Sequence, residues 1–120
     1  MPASYEIDPQ RRLVLSRGWG VLTDEDLITH YERLRADPAF DPTYGQLADL
    51  REVERVATAG VTIEVVARLR VFAPGVRRAV IAPEEVAFTV ARLFASHAEP
   101  QDQQIEVFRD AKAAEDWVSR

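Results

Sequence analysis

At 120 residues, with 47% apolar and 29% charged residues, the chain has the size and composition of one domain with its own core, and wholesale disorder is excluded. It has no cysteine, which removes disulfides, thiolate nucleophiles and sulfur-ligated metal sites. It has only two histidines, His30 and His97, so no metal and no cofactor are expected. The net charge of −5 argues against a general nucleic-acid binder, because neutralising phosphates needs an excess of Lys and Arg.

The first residues lack the basic-then-apolar pattern of a leader, and no apolar run is long enough to span a bilayer, so a cytoplasmic location is expected. Charge is unevenly placed: residues 51–83 carry six Arg against three Glu, while the sections on either side are acidic. The stretch reads as a solvated face with Glu64 and Arg68 paired one helical turn apart, or as a modest surface for an anion or a partner.

No repeat or linker divides the chain, so residues 1–120 are read as one domain. Tyr5–Asp8 and Arg12–Gly18 read as strands joined across Asp8-Pro9-Gln10, a hairpin. Thr23-Asp24-Glu25-Asp26 has the form of a capping box, and Leu27, Tyr31 and Leu34 follow on one helical face before Asp37-Pro38. Gln46–Leu50 reads as a strand. Val61, Val65, Leu69 and Phe72 then recur at helical spacing up to the Pro74-Gly75 break.

Arg78–Ala82 is a short apolar strand, and Pro83 suits the first turn of a helix with Glu84 and Glu85 at its positive end. That helix is expected to run to His97 and to bury Val86, Val90, Leu93 and Phe94. Gln104–Arg109 reads as the last strand. Asp110 then caps a terminal helix that buries Ala113, Ala114, Trp117 and Val118. The order ββαβαβαβα implies an α/β fold: one mixed five-stranded sheet, its first strand antiparallel and the rest parallel, with about four helices covering both faces.

Ligands of open parallel sheets are received at the carboxyl ends of the strands, which here brings forward residues 51–60, 83–85 and the segment from Gly18. The segment ADLREVERVATAGV, residues 48–61, resembles the signature region of STAS domains, the family of the bacterial anti-sigma-factor antagonists. Asp49-Leu50 matches its opening, Val53 and Val56 its apolar positions, Thr58 its phospho-accepting serine and Gly60 its glycine. Ala57 stands where that family has aspartate, and Arg51 where a serine is common. The later segments RRAVIAPEEVAFTVARLF and IEVFRDAKAAEDWV resemble a divergent STAS-like branch that is also compared with lipid-binding Sec14-type domains. The resemblance implies strand order 1-3-2-4-5, a regulatory module and Thr58 as a candidate phospho-acceptor.

From the residues themselves, Thr58 is expected to cap the helix that follows it, and a phosphate there would meet a helix N-terminus beside Arg51 and Arg55. Asp49, Arg51, Arg55, Arg92 and Trp19 are the candidate contacts for a ligand or partner. His30 is expected at the rim of the first helix's buried face, with no nucleophile beside it. The leading expectation is a non-enzymatic module that binds a partner protein or a small anionic or lipophilic ligand. The alternatives are a small enzyme using Asp49 or His30 with Arg51, and a structural homodimer without a ligand. No catalytic residue is assigned, because neither a phosphate loop nor a nucleophile elbow is present.

Overall fold

The computed structural model describes residues 2–120. Strands β1 (Ala3–Asp8) and β2 (Leu13–Thr23) form the hairpin, with Asp8 Oδ1 accepting from the amides of Gln10 and Arg11 in the turn. Helix α1 (Asp24–Ala36) opens on a complete capping box: the Asp26 amide donates to Thr23 Oγ1 and the Thr23 amide to the Asp26 carboxylate. Then follow β3 (Gly45–Ala57), α2 (Gly60–Ala67), β4 (Arg77–Ile81), α3 (Glu85–Ala98), β5 (Gln104–Phe108) and α4 (Ala111–Val118), the last capped by Asp110 as expected. Among the described residues no helix is long and apolar enough to cross a membrane.

The sheet is mixed, with β1 antiparallel to β2 and every later pair parallel. Its order is β1-β2-β3-β4-β5, which corrects the order 1-3-2-4-5. The reason is geometric. Right-handed crossovers between strands that advance in one direction all pass over the same face. Helices α1, α2 and α3 therefore share one side and only α4 covers the other. There is no reversal of strand order, and so no switch-point crevice of the doubly wound kind.

Two clusters fill the α1–α3 side. One gathers Val14, Tyr31, Leu34, Val66, Val71 and Phe72, and the other centres on Ala82, Ala87 and Ala91. Leu13, Leu47, Ala79 and Ile81 meet Ala114 and Val118 of α4 on the reverse face. Phe72, Leu34 and Val14 are the largest fully buried side chains, each worth about 1.5–3 kcal/mol of transfer free energy. Gly45 is held to glycine by backbone: a Cβ there would lie 2.6 Å from the Arg77 carbonyl oxygen.

Several buried faces differ from expectation. On α2 the buried residues are Ile63, Val66 and Ala67, while Val61 and Val65 are 67% and 57% exposed. The segment is apolar on more than one side, so spacing alone does not select the stripe. Helix α2 also ends at Ala67, and Val71 and Phe72 are buried from the connection beyond it. On α3, Ala87 and Ala91 face the sheet and let the helix approach closely, leaving Val86 and Leu93 exposed. On α4 Ala113 is exposed and Trp117 only half-buried.

The Trp117 ring is tilted against Phe108 at 5.8 Å and lies under the Arg77 guanidinium, which donates to the Trp117 carbonyl. Trp117→Ala is expected to cost about 2 kcal/mol, below the figure for a fully buried ring, in chemical denaturation. An unchanged midpoint would show that α4 contributes no docking energy through this side chain.

Strands β2 and β3 run well past their expected ends. Register shifts between Arg17 and Trp19 and between Gly20 and Val21, with Gly20 at φ +63°, carry β2 through its glycines. Trp19–Thr23 pairs with Glu52–Ala57 as a two-stranded parallel ribbon beyond the last β4 partner, which is Ile81 opposite Asp49.

Candidate ligand cavity

Strand alternation decides which side chains face α1–α3. On β2 these include Val14 and Ser16, on β3 Gln46, Ala48 and Leu50, and on β4 Arg78 and Val80. The sheet thus places three polar residues, Ser16, Gln46 and Arg78, at inward positions of adjacent strands, with Gln46 directly opposite Arg78. All three are buried. Above them lies a cavity of about 130 Å³, walled by Leu27, His30 and Tyr31 of α1, Ile63 of α2 and Ala87, Val90, Ala91 and Phe94 of α3. Leu22, Leu50, Val56 and Thr58 line it at the ribbon end.

Arg78 is only 3% exposed. Its Nε donates to Gln46 Oε1 at 3.0 Å, Nη1 to Gln103 Oε1 at 3.0 Å and Nη2 to the Tyr31 hydroxyl at 3.0 Å. The guanidinium carbon lies 4.3 Å from the Phe72 ring centroid and 5.8 Å from those of Tyr31 and Phe94. All three acceptors are neutral, and among the described residues no carboxylate forms an ion pair with Arg78. Burial pushes the guanidinium below its ordinary value, opposed by Tyr31, yet an arginine stays charged at neutral pH. In its direct contacts Arg78 is therefore a cation balanced by dipoles and ring faces alone, an arrangement that costs several kcal/mol in desolvation.

The network continues outward. Gln46 Nε2 donates to Ser16 Oγ at 2.9 Å, and Ser16 Oγ stands 3.1 Å from His30 Nε2. Ser16 Oγ accepts from Gln46, and among the described hydrogen bonds its own proton has no acceptor other than His30 Nε2; we assign it there, with the imidazole proton on Nδ1. A hydroxyl thus does lie beside His30, contrary to the expectation of none. Burial first, and Arg78 second, lower the His30 pKa to about 4, so the ring is neutral at physiological pH. His30 also lines an open cleft of about 550 Å³ formed with Tyr5, Asp26, Arg33 and Asp37. Its imidazole stands where the cavity and the cleft adjoin.

The other candidates fall elsewhere. Asp49 shares the Leu47 face of β3 and accepts from Arg51 through Nε at 3.0 Å and Nη2 at 2.7 Å, which holds its carboxyl below the usual range. Asp49 and Arg51 line neither cavity, so they do not converge with His30. Arg55 is exposed on the ribbon opposite Val21. Trp19 sits opposite Glu52 with the Arg17 guanidinium 4.8 Å from its ring centroid. Arg92 is exposed on α3, 5.8 Å from the Phe88 ring centroid. Of the six candidates only Thr58 touches the cavity.

Thr58 does not cap α2. The N-cap is Ala59, whose amide donates to Asp24 Oδ1 at 2.8 Å, while the Thr58 hydroxyl donates to the Leu22 carbonyl at 3.4 Å. The capping anion comes from the start of α1 instead. Asp24→Ala is accordingly expected to cost about 1 kcal/mol and Thr58→Ala only a few tenths, in equilibrium denaturation. The reverse ranking would restore Thr58 as the cap.

Sequence reasoning passed over Arg78, Gln46 and Ser16. The available signal was their period-two placement: each is a polar residue at an inward position of an otherwise apolar strand.

No protein-family model matches the chain, and no curated protein matches it. Among solved structures it is similar to an uncharacterised protein of the DUF3478 family with a SpoIIAA-like fold from Shewanella loihica PV-4. The identity is 19%, the TM-score 0.65, and the match covers 97% of this chain and 93% of that one. With its antiparallel first strand, parallel remainder and four helices, the chain has a SpoIIAA-like fold.

Proposed function

We propose that this chain is a non-enzymatic STAS-like binding module that takes a small organic anion with an apolar tail in the cavity beneath α1–α3. The observation that carries the reading is Arg78, a buried cation without a carboxylate partner at the base of a largely apolar cavity. An acidic head supplies the missing counter-charge, and the walls of Ile63, Ala87, Val90 and Phe94 suit an alkyl tail. The volume is comparable to voids that accept benzene-sized guests, so the natural tail is short or reaches out past Thr58.

Catalysis by the Ser16–His30 pair is disfavoured on chemical grounds. An imidazole titrating near 4 is a weak base at neutral pH, and Gln46 donates to the hydroxyl that would attack. A phosphoryl switch at Thr58 is disfavoured as well, since Asp24 already occupies the start of α2 and would repel a phosphate. A protein partner remains the second reading, favoured by the exposed Val61, Val65 and Val86 on α2 and α3.

Native mass spectrometry of protein purified from its own host, alongside Arg78→Gln, tests the proposal. The expected result is a small acidic adduct on the wild type that the variant lacks. Wild type that carries none, and that does not bind added hexanoate, would overturn the reading. A stable protein complex in its place would favour the second.

A further inference from the structure

His30 lines both the largely apolar cavity and the open polar cleft, and one hydrogen-bonded file runs from Arg78 through Gln46 and Ser16 to its Nε2. The direction of that file depends on what occupies the cavity. With the tautomer assigned above, each donor of the file points toward His30 in the empty protein, and the Ser16 proton is spent on the imidazole. If His30 gains a proton, its Nε2–H donates to Ser16 Oγ, and the Ser16 hydroxyl is released to donate into the cavity. That reversal is unfavourable beside an unbalanced Arg78. It becomes favourable once an anion lies between Arg78 and Ser16, because the anion accepts from the freed hydroxyl and offsets the repulsion between the two cations.

We infer that the cavity takes up its anion together with one proton, with His30 becoming the imidazolium that faces the cleft while Ser16 turns its hydroxyl onto the ligand head. The proton comes from a buffer acid or hydronium ion in the cleft, and no covalent bond of the ligand changes. This rests on the proposed binding function and adds the proton to it.

The charged and titratable groups around His30 fit the direction of transfer. Arg78 on β4 is the repulsive group that an anion would balance, and Arg17 on β2 lines the same cavity. On the other side, Tyr5 of β1 presents its ring edge at 5.7 Å. Asp26, Arg33 and Asp37, from α1 and its cap, line the cleft; Asp37 stands on its solvent side, while Asp26 borders both the cleft and the cavity. The walls contributed by β3, α2 and α3 include no acidic or basic side chain. The ligand class is thus a singly headed acid with a short apolar tail, held more tightly as the medium becomes more acidic.

The test uses 1-hexanesulfonate, whose charge does not change with pH, and 1-hexanol as its neutral counterpart. Titration calorimetry at about pH 5.5 in two buffers of different ionisation heat reads the protons taken up per ligand. The expected uptake is on the order of half a proton or more, with sulfonate affinity rising up to about tenfold per pH unit. In His30→Gln, whatever affinity for the sulfonate is left should show neither proton uptake nor that pH dependence. Proton NMR of the wild-type imidazole, which needs no variant, should show the His30 titration moving up from about 4 when the sulfonate is added. Sulfonate binding with no proton uptake and an unmoved titration overturns the inference and leaves the cavity reading standing. Failure of both probes to bind, or binding of hexanol alone, overturns both.

Discussion

Arg78→Met is expected to lower the affinity for a short-chain acid by about 100-fold while leaving the protein folded. Binding energy of about 3 kcal/mol is what removing one member of a buried, hydrogen-bonded charge pair costs a complex. The free protein has the opposite balance. Methionine keeps the contact with Phe72, Tyr31 and Phe94, and it removes a desolvated charge that lacks a counter-ion. Against this, Gln46 and Gln103 each lose a donor to their carbonyl oxygens, and Tyr31 loses one to its hydroxyl, at about 1 kcal/mol apiece. The two sides offset to within about 2 kcal/mol. Hexanoate titration read beside thermal unfolding of the same sample checks both halves. Unfolding of the variant together with unchanged affinity in any folded fraction would make the guanidinium a structural strut.

The second large effect is acid sensitivity above the range where carboxylates titrate. His30 is lowered from 6.5 to about 4 in the folded state, mainly by burial, so the folded protein resists the proton that the unfolded chain accepts. Its stabilising contribution is complete above about pH 6.5 and is lost as pH falls toward 4, a total of about 3 kcal/mol. Asp37, Asp41 and Asp49 also have depressed values and lose their contributions on acidification, but at lower pH than the histidine. Urea denaturation from pH 7 to 4 should therefore show a slope in the wild type that His30→Gln largely removes. An identical slope in the two proteins would assign the loss to other groups. Tyr5 behaves in the other direction: desolvation and its bond to Asp37 raise it from 10 to about 12, so its contribution is whole below pH 10 and fades above.

Element type was legible along nearly the whole chain because local rules and tertiary packing agree in it. The Thr23–Asp26 capping box, the Asp110 cap and the hairpin turn at Asp8 each act within a few residues. What was not legible depends on neighbours distant in sequence. The order of the strands follows from which face each crossover takes. The cap of α2 comes from Asp24, 35 residues away from the amide it receives. The buried stripe of α3 is set by alanines, chosen for closeness to the sheet rather than for hydrophobicity.

The candidate site shows the same division. The general rule for open sheets points to the strand ends, where Asp49, Arg51 and Arg55 cluster in sequence. The structure pairs the first two with each other and leaves the third on the ribbon surface. The cavity instead draws on inward positions of β2, β3 and β4, whose residues 16, 46 and 78 meet only once the sheet has formed.

The unbroken strand order also bears on how the molecule reaches its native state. Each strand after the first pairs with its immediate predecessor, so every new pairing closes a loop no larger than one strand–helix–strand unit. No strand must be threaded between two already joined, and the entropy of each closure is modest. Assembly can therefore spread from the hairpin along the chain, with β5 and α4 adding to an existing edge. Arg78 takes its place at the β4 step, but its cover is completed only when Phe94 of α3 and Gln103, the residue before β5, arrive, so the most unfavourable burial in the molecule falls late in that sequence rather than at its start.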